Sequence, residues 1–376
     1  MSSSLEKLHP FLETVFNHLH ENPEISWEER QTTAYIAGLF KDKNCTVKQF
    51  DDSTGLVIDV GSGKPVIALR ADIDALWQEV NGTFQANHSC GHDAHMTVVI
   101  GTILSILEEK RDFKGTFRFI FQPAEEKGDG ALAFVDKGVV DDVDYLYGLH
   151  LRPKEELSNG RFAPAIKHGA ARIIDGNIKG QDAHGARPHL NVNAIQVATE
   201  FFQALNSIQI NPMISYSVKM TALHAGGKSA NIIPGNASFS IDVRAQNNVV
   251  MEEITAKIHR ISKSIADLHN VEIDLAVGTN IAAAVLDDDA ISFMRQAIIE
   301  CAGEENLSPV ITTTGGDDFH FYTIKHPKLK ASMLAVGCNL LPGLHHPEMT
   351  FNHNAIPKAI EITTRVLYLT MASFKR

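Results

Sequence analysis

The sequence predicts an α/β protein, a doubly wound catalytic sheet domain in two segments with an inserted ferredoxin-like α+β domain. Three observations carry the prediction. Short β-rich runs alternate with helical stretches through the first part of the chain. A β-α-β-β-α-β order occupies the middle. The α/β rhythm then resumes near Asp287. A length of 376 residues suits two domains at roughly 100–200 residues each. The expected boundaries are 1–170 for the first catalytic segment, 171–280 for the insert and 281–376 for the second catalytic segment.

Taken in order, Leu12, Phe16 and Leu19 recur at helical spacing up to about His20. Ser26 with Glu29 three residues on reads as a capping box opening a helix to about Phe40. Leu56–Val60 and Val66–Arg70 are β-rich runs separated by a Gly/Ser/Lys/Pro turn. Thr97–Glu109 reads as a buried helix and Thr116–Phe121 as a strand. Ala131–Lys137 reads as a short helix ending at Gly138, and Val143–Tyr147 as another strand.

In the insert, a strand (Arg172–Lys179) leads to a helix (Asn193–Ser207), and two strands follow (Tyr216–Leu223 and Ala237–Arg244). A long helix then places Ile254, Ile258, Ile261, Ile265 and Leu268 on one face, before a last strand, Val271–Val277. The final segment gives a helix to about Cys301, a strand over Ala331–Val336 and a C-terminal helix with Pro357 in its first turn.

Composition narrows the function. Hydrophobic residues make up 44% and charged residues 21%, which is globular rather than disordered. A net charge of −11 repels phosphate backbones, so nucleic acid is not an expected partner. No apolar run approaches the roughly 20 residues of a membrane span. The start, Met1-Ser-Ser-Ser-Leu-Glu-Lys7, lacks the apolar core of a signal peptide. A cytoplasmic protein is expected. The four cysteines, Cys45, Cys90, Cys301 and Cys338, are widely spaced and fit buried thiols, metal ligands or catalytic groups better than disulfides.

Ligands of open α/β sheets bind at the carboxyl ends of the strands. There the sequence places Asp72 and Asp74, Glu125-Glu126, His150 and Leu344-His345-His346-Pro347, with Cys90-Gly-His92-Asp93-Ala-His95 in a loop before a helix. Cys90-x-His92 offers thiolate and imidazole, both good zinc ligands. The alternative is a buried thiol beside solvent-facing histidines. Of Glu125 and Glu126, one can coordinate while the other accepts a proton from water; a solvated acidic turn is the plainer reading. Asp72, Asp74 and His95 are either surface groups or groups that orient a ligand imidazole. His9, His18, His20, His259, His269 and His326 lie outside this rim and read as structural or surface residues. In the insert, His184, Asn231 and Arg244 sit on adjacent loops; each alone is more often an ordinary surface residue, but together they can bind an anionic substrate: Arg244 by a bidentate carboxylate pair, Asn231 by a hydrogen bond, His184 by donating to an oxyanion.

These blocks, Arg70-Ala-Asp-Ile-Asp-Ala-Leu76, Cys90-Gly-His-Asp-Ala-His95, Phe121-Gln-Pro-Ala-Glu-Glu126, Gly148-Leu-His150, Ala183-His184 with Pro188-His189, and Leu344-His-His-Pro347, resemble the aminoacylase/carboxypeptidase metallopeptidase family (peptidase family M20). The likeness runs from about His20 to the C-terminus. It is greatest to the amidohydrolase branch with hippurate hydrolase, auxin-conjugate hydrolases and N-acetyl-diaminopimelate deacetylase. The resemblance implies two divalent ions per subunit, of zinc, manganese, cobalt or nickel, held by Cys90, His92, Glu126, His150 and His345. Glu125 takes the general-base position, and His184 that of a lid histidine that in dimeric relatives reaches the partner's site. Asn231 and Arg244 fall where relatives hold the substrate carboxylate, Asp72 and His95 stand behind the ligands, and the insert serves as lid and dimerisation domain. Trp77 stands where the branch usually has Pro, the Gln78–Ser89 loop is short, Gly316-Asp317-Asp318-Phe319 has Asp for Glu, and His353-Asn354 replaces an acidic pair. All four departures are expected near the site.

The expectation is therefore a metal-dependent amidohydrolase that cleaves N-acyl amino acids with activated water and Glu125 as base, acting as a homodimer. A dipeptidase or carboxypeptidase, a non-catalytic binder of metal or amino-acid conjugates, and a hydrolase with Cys90 as nucleophile are the rival readings.

Overall fold

The computed structural model describes residues 3–374. The chain forms two compact units. One takes the chain to Lys167, then Val285–Thr312, then from Asp318 onward; the other comprises His168–Ala284 and Thr313–Asp317.

The first unit opens with α1 (Ser3–Glu21) and α2 (Arg30–Phe40). Strands β1 (Thr46–Phe50), β2 (Ser53–Ser62), β3 (Val66–Asp72), β4 (Leu76–Val80) and β5 (Thr83–Asn87) follow, then α3 (His92–Glu109), β6 (Gly115–Gln122), α4 (Gly130–Asp136), β7 (Tyr145–Pro153), β8 (Phe162–Ala163) and β9 (Ile166–Lys167). The second unit contains β10 (Ala170–Lys179), β11 (Ala183–His184), α5 (Ala194–Leu205), β12 (Tyr216–Ala225), β13 (Ile232–Ile233), β14 (Ala237–Ala245), α6 (Asn248–His269) and β15 (Glu272–Ile281). The chain then returns with α7 (Asp288–Ala302), β16 (Ile311–Thr312), α8 (His320–Lys325), β17 (Lys330–Leu340) and α9 (Ala355–Ser373).

The main sheet has the order β1-β2-β6-β3-β7-β17-β8. Strands β6, β3, β7 and β17 pair in parallel, and the outer pairs are antiparallel. Parallel strands are buried on both faces, and all seven residues of β3 are buried. Alternate residues Leu56, Ile58, Ile67, Leu69, Phe117 and Phe119 enter one core with side chains of α1, α3, α7 and α9. The carboxyl ends of the parallel strands are thereby fixed as one rim.

The second unit is an antiparallel sheet, β12-β14-β10-β15, with α5 and α6 packed on it. Its strands alternate as half-buried sheets do: β14 buries every second residue. On α6, Ile254, Ile258 and Ile265 are buried, but Leu268 is 72% exposed, so the expected apolar face stops one turn short of the helix end.

Two local expectations are corrected. Ser26 does not cap α2; the helix starts at Arg30, and the Ser26 hydroxyl instead donates to Asp74 (2.7 Å). The buried α3 starts at His92, so His92, Asp93 and His95 occupy its first turn rather than a loop. Among the described residues, no helix is long and apolar enough to cross a membrane.

Candidate metal centre

Strands of the main sheet, the turns that follow them and the start of α3 carry the polar groups of the rim. Strand β3 ends at Asp72, and the following turn carries Asp74. Gly91, with φ of +84°, turns the chain into α3 and sets Cys90 and His92 on either side. The turn after β6 carries Glu125 and Glu126. His150 lies within β7 and is buried. His345, at φ +64°, follows β17, and its amide donates to the Ser89 carbonyl (2.8 Å).

The structure brings these groups together. One donor atom from each of Cys90, His92 and His150 lies within 4.8 Å of the others, as does one from each of Cys90, Glu126 and His345, and of His92, Glu125 and Glu126. The Cys90 thiol is 3.7 Å from His150 Nε2. Glu126 Oε1 is 3.8 Å from His92 Nε2 and 3.5 Å from His345 Nε2. Ligands about 2.0–2.3 Å from a shared tetrahedral ion stand at about this separation from one another.

The hydrogen bonding prepares the same atoms. His92 Nδ1 meets the Asp74 carbonyl (2.8 Å) and His150 Nδ1 the Leu151 carbonyl (2.6 Å). A carbonyl only accepts, so each ring carries its proton on Nδ1 and turns Nε2 inward. His92 Nε2 and Glu126 Oε1 are buried and make no hydrogen bond. Buried polar atoms are rarely left so, and both belong to the candidate donor set. The residues fit a divalent ion.

The electrostatics agree. Burial, reinforced by Glu126, raises the Cys90 thiol well above its ordinary value. Burial likewise pushes Glu126 up to about 7. Burial opposes charge on His92, yet Asp72 and Cys90 hold its imidazolium well above the usual range. Burial drives His150 well below it. The cage thus draws positive charge onto His92, and a divalent cation held there would satisfy the same demand and favour the Cys90 thiolate.

Behind the cage lies a network in which Asp72 and His95, both singled out from the sequence, are joined by Arg70, Gln122 and Asp318. Arg70, only 1% exposed, donates to Asp72 (2.6 Å), Gln122 (3.0 Å) and Asp318 (2.8 Å). Asp72 also accepts from His95 Nδ1 (2.7 Å), whose Nε2 accepts the Leu151 amide (3.0 Å). Both His95 nitrogens are thus occupied, and the ring ties Asp72 to the strand bearing His150. A cation inside the apolar run Val66-Ile-Ala-Leu-Arg70 was the available signal, since buried charges require partners. Asp74, read from the sequence as either a surface group or one that orients a ligand imidazole, is buried, and its carboxylate accepts from Ser26 and from the Glu126 amide (3.0 Å). His20, read as peripheral, lies 2.7 Å from the buried Asp93.

Trp77 is 61% exposed on β4, within a β4–β5 hairpin that replaces the expected loop. Asp318 belongs to the Arg70 network, whereas His353 packs against Phe16 with ring centroids 4.5 Å apart.

His184, Asn231 and Arg244 all lie in the second unit. His184 and Asn231 are exposed. His184 pairs with Ile232 across β11 and β13, and its Nδ1 accepts the Ala186 amide (3.0 Å). Arg244 Nε donates to Asp242 (2.8 Å), and the side chain is 42% exposed.

A sheet whose strand ends converge on a thiol, imidazoles and carboxylates, in one chain with a ferredoxin-like unit, defines a hydrolase of the metallopeptidase type. The chain belongs to peptidase family M20/M25/M40, whose model matches residues 68–369, and is a hydrolase acting on amide bonds. It is 30% identical to N-acetyl-L-cysteine deacetylase of Bacillus subtilis, over 95% of this chain and 86% of that protein. It is 28% identical to the IAA-amino acid hydrolase ILR1-like 4 of Arabidopsis thaliana, over 82% of this chain and 73% of that one. Among solved structures, it is similar to the Bacillus subtilis YXEP protein, described as a dinuclear metal binding peptidase from the M20 family. The TM-score is 0.81 with 25% identity, covering 98% of this chain and 99% of that one. A putative aminohydrolase from methicillin-resistant Staphylococcus aureus shares the fold with a TM-score of 0.87.

Proposed function

We propose that the chain is a metal-dependent amidohydrolase that removes the acyl group from N-acyl amino acids. Cys90, His92, Glu126, His150 and His345 would hold two divalent ions, of zinc, manganese, cobalt or nickel. The carrying observation is the convergence of these donors beside Glu125, among them two buried atoms, His92 Nε2 and Glu126 Oε1, that make no hydrogen bond. The dinuclear site named for the YXEP protein supports the count of ions. The deacetylase and conjugate hydrolase among the relatives support the substrate class.

When bound, the ions supply Lewis-acid chemistry that polarises a carbonyl and lowers the pKa of water. Glu125 is the proton carrier. Its Oε1 accepts the Asp318 amide (3.4 Å), and its Oε2 stands 4.0 Å from His92 Nε2, at the edge of the cage. It accepts a proton from the attacking water and returns it to the departing amine, so the atoms balance as acid plus free amino acid. Asp72 and His95 hold the cage from behind. In the second unit, Arg244 and Asn231 would receive the substrate carboxylate and His184 would donate to the developing oxyanion. The insert would also pair two copies into a dimer in the cytoplasm.

The experiment is metal analysis of the purified protein, followed by turnover of N-acetylcysteine, hippurate, an indole-acetyl amino acid and a dipeptide. Acyl removal that chelation abolishes and metal restores is expected. Binding of N-acyl amino acids without product by metal-replete protein would overturn the reading, and preference for the dipeptide would redirect it to a peptidase.

A further inference from the structure

Glu125 sits in a turn that the backbone alone does not favour. Ala124, immediately before it, has φ of +53° and is fully buried. A side-chain-bearing residue in the left-handed region persists only where its surroundings hold it. The holder is remote in sequence. Glu29, fully buried, accepts the Ala124 amide through Oε1 (2.8 Å) and the Thr54 hydroxyl through Oε2 (2.6 Å). On the other side of Glu125, the Glu126 amide donates to Asp74 (3.0 Å), which also accepts the Ser26 hydroxyl (2.7 Å). The amides on both sides of Glu125 are thus tied to buried carboxylates, and both ties lead back to the Ser26–Glu29 stretch before α2.

We infer that Glu29 is a positioning residue for Glu125, gripping the Ala124 amide so that the carboxylate of Glu125 is held at the edge of the cage. The inference rests on the reading of Glu125 as proton carrier. What matters is the reach of the Glu29 side chain rather than its charge. Glutamine keeps that reach and an acceptor oxygen for the Ala124 amide, and its NH2 can donate to Thr54, whose hydroxyl rotates to accept. Aspartate keeps the charge but is one methylene too short to span Ala124 and Thr54 together.

The test compares Glu29→Asp and Glu29→Gln in the full-length, metal-loaded protein. Glu29→Asp is expected to lower kcat by about 10- to 100-fold, the scale of an ångström-sized misplacement, with KM and bound metal little changed. Glu29→Gln is expected to stay within about threefold of wild type. Hydrogen exchange of the peptide spanning residues 122–128 should quicken in the Asp variant and not in the Gln variant, a readout independent of turnover. Wild-type kcat and exchange in Glu29→Asp would overturn the inference. So would a loss of more than about 10-fold in Glu29→Gln, which decides the matter alone if the Asp variant does not fold. A wild-type protein that hydrolyses no amide would instead sink the proposed function, leaving the exchange comparison to judge the grip on Ala124.

Discussion

Glu125 and Glu126 are neighbours in sequence but not in circumstance. Glu126 points Oε1, which makes no hydrogen bond, at the imidazoles of His92 and His345, while Glu125 is held by a backbone amide at the edge of the same cage. Glu125→Gln is therefore expected to reduce kcat by about 10²–10⁴-fold, with metal content and thermal midpoint retained. Near-wild-type turnover would remove Glu125 from its role. The candidate ligand residues were legible because Cys, His and Glu stand in short, chemically distinctive blocks. Arg70, Gln122, Asp318 and Glu29 were not, since each is an ordinary residue type whose meaning comes from a partner up to 248 positions away. His20 supplies a prediction in pH. Its hydrogen bond to Asp93 outweighs burial and raises the imidazole above 6.5. The group thus contributes stability that is fully present below pH 6.5 and lost as pH rises through its higher folded value. The thermal midpoint of His20→Gln should fall furthest below wild type near pH 5.5, and the gap should narrow by pH 8.5. A gap that widens with pH would contradict the pairing.

At the scale of elements, the β4–β5 hairpin shows how a structural signal can be present and unread. Asn81-Gly82 lies at its tip with φ of +51° and +79°, the geometry a two-residue hairpin turn requires. The asparagine–glycine pair was in the sequence, but the polar residues around it masked the alternation. Ser26 and Glu29 failed in the opposite way. Their spacing matches a capping box, but tertiary partners claim both side chains, Asp74 the first and Thr54 with Ala124 the second. The hairpin also has a role at the rim. Gln78 donates to the His345 carbonyl (3.0 Å), and Asn87 donates to Gln78 (2.8 Å) and to the Pro347 carbonyl (3.0 Å). These bonds brace a residue in left-handed conformation whose side chain is 55% exposed. Partners that orient a ligand typically contribute about 10–100-fold in metal affinity. Gln78→Ala combined with Asn87→Ala should weaken binding of one ion by about 10-fold, measured by chelator competition, while the other ion is retained. An unchanged affinity for both would show that the His345 loop stands without the hairpin.

For the whole molecule, the consequential fact is where the cage draws its residues. All five proposed ligands belong to the first unit, but four precede the second unit in sequence and His345 follows it. Bound metal would therefore clip together two chain segments separated by a long excursion, which constrains the unfolded chain most when the loop is long. A ligand that binds only the folded state stabilises by about 2.7 kcal/mol at a free concentration 100 times its Kd. For a unit of this size, that corresponds to a rise in thermal midpoint of roughly 5–10 °C. The second unit has its own core, built from Ile174, Phe201, Phe239, Ile241, Ile254 and Ile258 among others, and contributes none of these ligands. Chelation is accordingly expected to lower the calorimetric midpoint and to quicken hydrogen exchange in peptides covering residues 72–95, 122–130, 148–152 and 341–347. Peptides from α5, α6, β10 and β14 should exchange as before. Equal acceleration in both units would mean that the metal stabilises the chain through something other than this cage.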